Sequence, residues 1–341
     1  MRKILTWLLA AIAAAMLVAV LVSLSGSNQW FVRAVDLVRE PVTYLAIALA
    51  ILAAIFAARW KWVIVAAFLA VAVINVARIW PYVPLAGQQV ALQDGEEPEG
   101  QCFTAYSLNV KQENSDHDGV IAQIEAVDPD LLLLMETDDV WAEALSGVVS
   151  EYEHTLIDAK SNAYGMIFAS RLPVQSAKTI ENTARNTPTL YATIALPNGR
   201  DFEFVGLHPK PPLPGQDTGK RDANIARAGA RTPDGKAEAL VMGDFNDVPW
   251  SGTTTKFRKE GGWRDPRIGR GAYPTFPSER LILGYPLDQL MVKNDLTVAS
   301  FEVMEGTGSD HRAMKAVLCL GEKPGPVENV PEMMEPLASE L

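Results

Sequence analysis

The first ninety residues almost lack acid. They hold 2 of the 41 Asp+Glu and 7 of the 30 Lys+Arg in the 341-residue chain. The rest lacks the opposite sign, with 23 basic side chains against 39 acidic ones, a balance of −16. That shortage of positive charge argues against non-specific nucleic-acid binding, which needs Lys and Arg to displace phosphate counterions. It leaves room for a local basic groove. Two common catalytic signatures are missing as well. The absence of a G-x-S-x-G elbow argues against an acyl hydrolase, and no G-x-x-x-x-G-K-[ST] phosphate loop is present. No repeat occurs at solenoid period. Cysteine is scarce, with only Cys102 and Cys319.

What the front does have is apolar length. Ile4 to Leu24 runs 21 residues without a charge, enough to cross a bilayer core of roughly 30 Å at about 1.5 Å per residue. A cleaved signal peptide is the alternative, with Arg2 and Lys3 as its basic region. The run is longer than the usual signal core, and more apolar segments follow, which favours an uncleaved helix. Val42–Ala58 and Trp62–Trp80 read as two further spans, joined by Arg59-Trp60-Lys61. Trp60, Trp62, Trp80 and Tyr82 suit interfacial aromatic belts. Arg78 lies near the end of the third span, where it can snorkel. Between spans one and two, Phe31, Ala34, Val35 and Val38 share a helical face, with Arg33, Asp36 and Arg39 off it. A short helix in the membrane surface is expected there, with a plain loop as the alternative. Arg2, Lys3, Arg59 and Lys61 against Arg33, Arg39 and Arg78 give a slight positive-inside bias. Three spans then put the C-terminal domain outside the cytoplasm, periplasmic or extracellular, on a multi-pass plasma-membrane anchor covering residues 1–83.

Residues 84–99 read as a polar, Gly/Pro-punctuated linker. Residues 322–341 are acidic and Pro-rich and are expected to be disordered. Between them, residues 100–321 suffice for one sizeable domain. Expected strands are Cys102–Val110, Leu131–Glu136, Ala163–Ala169, Leu190–Leu196, Phe202–Leu207, Ala239–Met242, Leu287–Val292 and Ala313–Cys319. Expected helices are Gly119–Ala126, Val140–Val149 and Lys220–Ala230. Several strands are unbroken apolar runs, the mark of sheets covered on both faces. A two-sheet sandwich flanked by helices and a doubly wound sheet both satisfy this pattern. The two cysteines bracket the domain. If its terminal strands pair antiparallel, a disulfide would close a loop of more than 200 residues. That closure is worth on the order of 5 kcal/mol in the chain-entropy model and requires an oxidising compartment. Two ordinary buried thiols are the alternative.

Polar residues recur where these strands begin or end. "SLNV" carries Asn109, "METD" Glu136, "GLHPKPP" His208, "GDFND" Asp244 and Asn246, "LDQL" Asp288, and "GSDHR" Asp310 and His311. Each alone has a bland explanation as a turn former or a strand-end residue. Together they require many coincidences. The chemistry they suit is phosphoester hydrolysis. Carboxylate and amide oxygens without thiolate select Mg²⁺ or Mn²⁺ over Zn²⁺, a carboxylate can activate water, and histidines can hold phosphate oxygens.

That ordered motif set resembles the endonuclease/exonuclease/phosphatase superfamily. Its members include DNase I-like nucleases, apurinic endonucleases, sphingomyelinases and inositol-phosphate phosphatases. The membrane front and "GRGAYPTFP" resemble its bacterial membrane-anchored branch. "GDFND" and "GSDHR" are specific, whereas "SLNV" alone is weak. The resemblance covers residues 100–320. It implies an α+β fold, a four-layer αββα sandwich in which first and last strands are neighbours, and so favours the Cys102–Cys319 disulfide. It implies Glu136 as main metal ligand with Asn109 and Asp310 beside it, and Mg²⁺ (or Mn²⁺) as cofactor. It implies Asp244 positioning the attacking water, Asn246 contacting the phosphate, and His208 and His311 binding it, with Asp288 orienting His311. Tyr164 and Arg270 are weaker substrate-binding candidates, packing and a solvated loop being the plainer readings of each. After His311, Arg312-Ala313-Met314 departs from the family's common proline, a change to the loop more than to the chemistry.

The leading expectation is a membrane-anchored metal-dependent phosphodiesterase or phosphomonoesterase acting on a lipid or small phosphoester. A nuclease outside the cytoplasm and a non-catalytic binding module on the same fold are the alternatives.

Overall fold

The computed structural model describes residues 2–92, 101–230, 238–280 and 283–321. The expected tail, 322–341, and the linker's residues 93–99 lie outside the described residues. The chain opens with α1 (Arg2–Ser23), α2 (Trp30–Leu37), α3 (Arg39–Phe56) and α4 (Lys61–Ile79), which a 3-10 turn, Trp80–Tyr82, extends. Three of these helices, Arg2–Ser23, Arg39–Phe56 and Lys61–Tyr82, are long and apolar enough to cross a membrane. Small residues, Ala13, Ala50, Ala53 and Ala57, line their contact with Leu9, Ile64 and Phe68, as close approach of apolar helices requires.

The short helix α2 forms, but its polar side is not free. Val32, Arg33 and Asp36 are buried while Phe31 is exposed. Phe31, on the apolar face expected at a membrane surface, is open, whereas the charges on the other side are buried against the protein. Ion pairing explains the burial of those charges. Arg39 contacts Asp36 at 2.6 Å, the Ser23 hydroxyl at 2.8 Å and the Asn75 amide oxygen at 2.9 Å. A buried charge is tolerated only when paired in this way. Arg39 thus joins the ends of α1, α2 and α4 instead of standing as a free loop charge.

The C-terminal domain contains β1 (Cys102–Asn109), α5 (His117–Val127), β2 (Leu131–Met135), α6 (Asp139–Ala144), α7 (Ser146–Val149), β3 (His154–Asp158), β4 (Met166–Ser170), β5 (Val174–Ile180), β6 (Thr189–Ala195), β7 (Asp201–Leu207), α8 (Gly219–Ala230), β8 (Ala239–Asp244), α9 (Gly252–Glu260), β9 (Asp288–Lys293), β10 (Thr297–Gly306) and β11 (Arg312–Cys319). Six strands form one sheet, β10-β11-β1-β2-β4-β3, and five form the other, β5-β6-β7-β8-β9. Alternation along each strand builds the layers. Phe103, Ala105, Leu131, Leu133 and Phe168 face Leu190, Phe202, Phe204 and Leu240 across the middle. Phe103 stacks on Phe202 at 4.8 Å and Phe168 on Phe204 at 5.6 Å. The opposite face of the first sheet, with Tyr106, Leu108, Leu132 and Leu134, packs on Val120, Ile124, Trp141 and Val148 of α5–α7. The second sheet's outer face, with Val205, Leu207, Val241 and Met291, packs on Ile225, Ala228 and Phe257 of α8 and α9. The result is the four-layer α+β sandwich, and both-face burial explains the unbroken apolar strands. A doubly wound single sheet is ruled out by the two-sheet pairing.

β1 and β11 are antiparallel neighbours with Cys102 opposite Cys319. These two cysteines form the disulfide. The described part of the linker is bound to the domain. Val90 joins the central core, and Leu92 bridges Val298.

Candidate active site

Strand direction gathers the polar residues at one edge. β1 runs parallel to β2, and β7 parallel to β8, so Asn109, Glu136, His208 and Asp244 all lie at C-terminal strand ends. β9 and β11 run antiparallel to β8 and β1, so Asp288 and His311 stand where those strands begin. Six sequence-distant positions thus share one edge of the sandwich. Four of them, Glu136, His208, Asp244 and His311, line a cleft of about 240 Å³ together with Lys111, Tyr164, Asn246, Phe276 and Asp310.

Asp244 is the hub and is only 1% exposed. Its Oδ2 lies 3.7 Å from His208 Nε2, 3.6 Å from His311 Nε2 and 3.2 Å from the Asn109 amide nitrogen. Its other oxygen accepts the Asn246 backbone N–H at 2.7 Å. Burial raises the Asp244 pKa, opposed by His311 and reinforced by Asp288. His311 Nδ1 pairs with Asp288 Oδ2 at 2.8 Å. Burial alone would lower the His311 pKa, but Asp288 and then Asp244 overcome it and hold the imidazole at about 10. His311 therefore stands between two carboxylates that both favour its charged form.

Glu136 sits just past β2 with φ of 62°, and Asn246 is at φ 50°. For Glu136 the left-handed region marks strain that the surroundings must hold, whereas asparagine tolerates it. Gly165 makes the first of these feasible. A Cβ there would meet the Thr137 carbonyl at 1.8 Å, while the Thr137 N–H donates to the Gly165 carbonyl. Gly243, at φ 133°, has the same role beside Asp244, since a Cβ would lie 2.2 Å from the Leu207 carbonyl.

Tyr164 stands at the rim, its ring 5.4 Å from that of His208. Its phenol pKa is raised by burial, then by Glu136 and Asp244. Arg270 is not brought to the cleft. Its guanidinium is spent on the Pro266 carbonyl, the Gln88 side chain and the Val90 carbonyl, so it fastens the linker. Arg264 caps the Asn294 and Leu296 carbonyls, and Arg267 is fully buried against Asp265. Arg270 is thus neither a substrate contact nor part of a solvated loop, and Arg264 and Arg267 beside it are likewise engaged. Phe245 is buried, and Asp247 holds the turn through the hydroxyls of Ser251 and Thr254.

Sequence reasoning missed three contributors. Lys111 pairs with Asp310 at 3.3 Å inside the cleft. Phe276 packs its ring 5.0 Å from His311. Arg221, buried on α8, donates to the Asn246 carbonyl at 3.0 Å. Lys111 alone had a signal, standing two residues beyond Asn109.

The model of the Endonuclease/Exonuclease/phosphatase family matches residues 106–311, from β1 to the imidazole of the cleft. The chain belongs to this family. Its fold is similar to that of a humanized TDP2 from D. rerio, at 12% identity over 64% of this chain and 98% of that one, with a TM-score of 0.53. The human Nocturnin catalytic domain with bound sulfate gives 18% identity, 64% and 95% coverage and a TM-score of 0.53. A family protein from Bacteroides thetaiotaomicron gives 16%, 64% and 95%, and 0.53. No curated protein sequence matches the chain significantly. Endonuclease/exonuclease/phosphatase proteins are generally metal-dependent phosphoester hydrolases, and the oxygen-rich cleft fits that chemistry.

Among the described residues, Asp244, Asp288 and His311 bring one ligand atom each within 4.8 Å of one another, a group that could hold a metal ion. Glu136 could also take one. It is partly exposed to the cleft, and its short side-chain partner is the Asn109 amide at 2.8 Å. Asp310 is partly open, its carboxylate paired with Lys111 at 3.3 Å. Asn109 is the least prepared of the three, because its amide serves both Glu136 and Asp244 and its oxygen accepts from Lys111 N–H.

Proposed function

We propose that the protein hydrolyses phosphoesters by water attack and is held at a membrane by its N-terminal helices. The single observation carrying this reading is the convergence on Asp244. A buried carboxylate of raised pKa stands within 3.7 Å of both His208 and His311. A stronger base takes a proton from water more readily. Asp244 therefore orients the nucleophilic water and accepts its proton as the new P–O bond forms and the ester P–O bond breaks. His208 and the His311 imidazolium hold the non-bridging oxygens, whose charge grows at the transition state. Asp288 fixes the His311 ring through Nδ1 and keeps it charged. Asn246 approaches the phosphate from the same turn, and Tyr164 contacts substrate at the rim. Glu136, with Asp310 and Asn109, would hold a Mg²⁺ or Mn²⁺, which when bound neutralises phosphate charge and assists the leaving oxygen.

The division into a helical anchor over 1–83 and a hydrolase domain over 100–321 belongs to this reading. So does a periplasmic or extracellular site, which the Cys102–Cys319 disulfide supports, since disulfides persist in oxidising compartments. A lipid or small phosphoester is preferred over nucleic acid, because the domain is acidic and the anchor keeps the site near headgroups. The test is a panel with full-length protein: a model diester, plasmid DNA, sphingomyelin and inositol phosphates, each with Mg²⁺ and with chelator. Turnover of a lipid or small ester supports the reading. Turnover of DNA alone overturns the substrate preference, and inertness toward all four overturns the hydrolase.

A further inference from the structure

The loop that follows Asp244 is built against the N-terminal helices. Val248 and Trp250 form one apolar cluster with Tyr82, Ile268 and Leu287, joined by Leu37 and Ile79. Leu37 belongs to α2, and Ile79 and Tyr82 to the end of α4. Polar contacts repeat the pattern. Trp250 Nε1 donates to the Asp36 carbonyl at 2.8 Å, and the Tyr82 hydroxyl donates to the Pro249 carbonyl at 3.3 Å. Trp250 is 3% exposed and Tyr82 5%.

A second set of contacts enters through α8. Arg33 of α2 pairs with Asp222 at 3.3 Å. The other oxygen of Asp222 accepts from Arg221 at 2.8 Å. Arg221 in turn donates to the Asn246 carbonyl at 3.0 Å and faces Asp247 at 3.5 Å. The same end of α8 is fastened to the chain leaving α1, where Thr218 N–H donates to the Asn28 carbonyl.

We infer that the N-terminal helical segment is part of the catalytic centre's support, and that Arg221 is the positioning residue through which it and the loop hold Asn246. The need for such support is local. Asn246 sits at φ 50°, which asparagine tolerates, and its backbone is fixed by two partners, the Asp244 carboxylate on its N–H and the Arg221 guanidinium on its carbonyl. Asp244 accepts the Asn246 N–H, so any drift of the turn also moves the proposed base. This inference rests on the hydrolase reading for its effect on turnover, although the holding of the loop is independent of it. A plain tether would need none of these contacts, because a flexible linker anchors equally well.

The alternative is that the helices only localise the domain. Two kinds of variant separate these in the full chain, purified in detergent or lipid nanodiscs. Arg221→Gln loosens Asn246 directly, with Arg221→Lys as the conservative partner. The double variant Tyr82→Phe, Trp250→Phe removes the Tyr82 hydroxyl contacts with the Pro249 carbonyl and Asp265 and the Trp250 bond to the Asp36 carbonyl, and keeps an aromatic ring at both positions. Hydrogen exchange in peptides covering 244–251 should rise in Arg221→Gln and in the double variant, with exchange in β1 and β7 unchanged. In the same samples kcat should fall about tenfold or more, as sub-ångström to 1 Å misplacement does. KM and Mn²⁺ affinity should stay within about twofold, and Arg221→Lys should recover part of the loss. Loop exchange equal to wild type in both variants overturns the inference. So does faster exchange with unchanged kcat in an active enzyme. An inert wild type whose loop still loosens in both variants overturns the hydrolase reading and leaves the structural hold supported.

Discussion

His311 Nδ1 and Asp288 Oδ2 lie 2.8 Å apart at the two strand starts that enter the cleft, β11 and β9. Neither residue is near the other in sequence, and the pair exists because both strands run antiparallel to strands that end at the same edge. Its consequence is a charged imidazole beside the buried Asp244.

Asp288→Asn should therefore lower the His311 pKa from about 10 toward the ordinary value. The folded pKa is raised above the roughly 6.5 of an unfolded histidine. Its contribution to stability is thus fully present below about pH 6.5 and lost as pH rises through about 10. NMR titration of the His311 ring in chelator, wild type against variant, checks the shift directly. Denaturation at several pH values checks that the variant's stability deficit shrinks on the alkaline side.

Gly165→Ala should cost about 3 kcal/mol or more, at the upper end for overpacking. Its Cβ would meet two backbone atoms, the Thr137 carbonyl at 1.8 Å and Lys160 N at 2.6 Å. Because Thr137 follows Glu136, metal affinity should fall along with stability. Denaturant melts and Mn²⁺ calorimetry on the same sample read both.

Glu136→Gln should weaken Mn²⁺ binding by at least about 10–100-fold, the range lost even for outer-sphere partners of a metal, with the fold intact. Calorimetry under identical salt decides it.

Reduction of Cys102–Cys319 should lower stability by about 5 kcal/mol in the chain-entropy model, because the bridge closes a loop of 217 residues. Thiol labelling of the unreduced, denatured protein should find no reactive cysteine.

Much of the candidate site was legible because apolar runs end abruptly at Asn109, Glu136, His208 and Asp244, and those ends share one edge of the sandwich. The strands that escaped notice, β3, β5 and β10, share one property: each lies at the edge of its sheet. Their burial is mixed, as in VQSAKTI of β5, so the apolar signal that marks a central strand is absent. Helix α9 was hidden by its three threonines, weak helix formers. Arg270 and Arg221 illustrate the remaining gap. One arginine was expected in the cleft and fastens the linker; the other was read only as part of a helix and holds the turn at Asn246. Both roles depend on partners more than 20 residues away, Gln88 and Asn246, which no local pattern encodes. Arg33 failed in the same way, since its partner Asp222 lies in the other half of the chain.

The most direct test of the account is the rate of Asp244→Asn in the full-length protein on whichever phosphoester the wild type hydrolyses with Mg²⁺. The side chain keeps its shape but loses its basicity. The account predicts a fall of about 10²–10⁴-fold, the usual worth of a general base, with Mn²⁺ affinity and melting largely retained. A variant that hydrolyses the ester at the wild-type rate would contradict it.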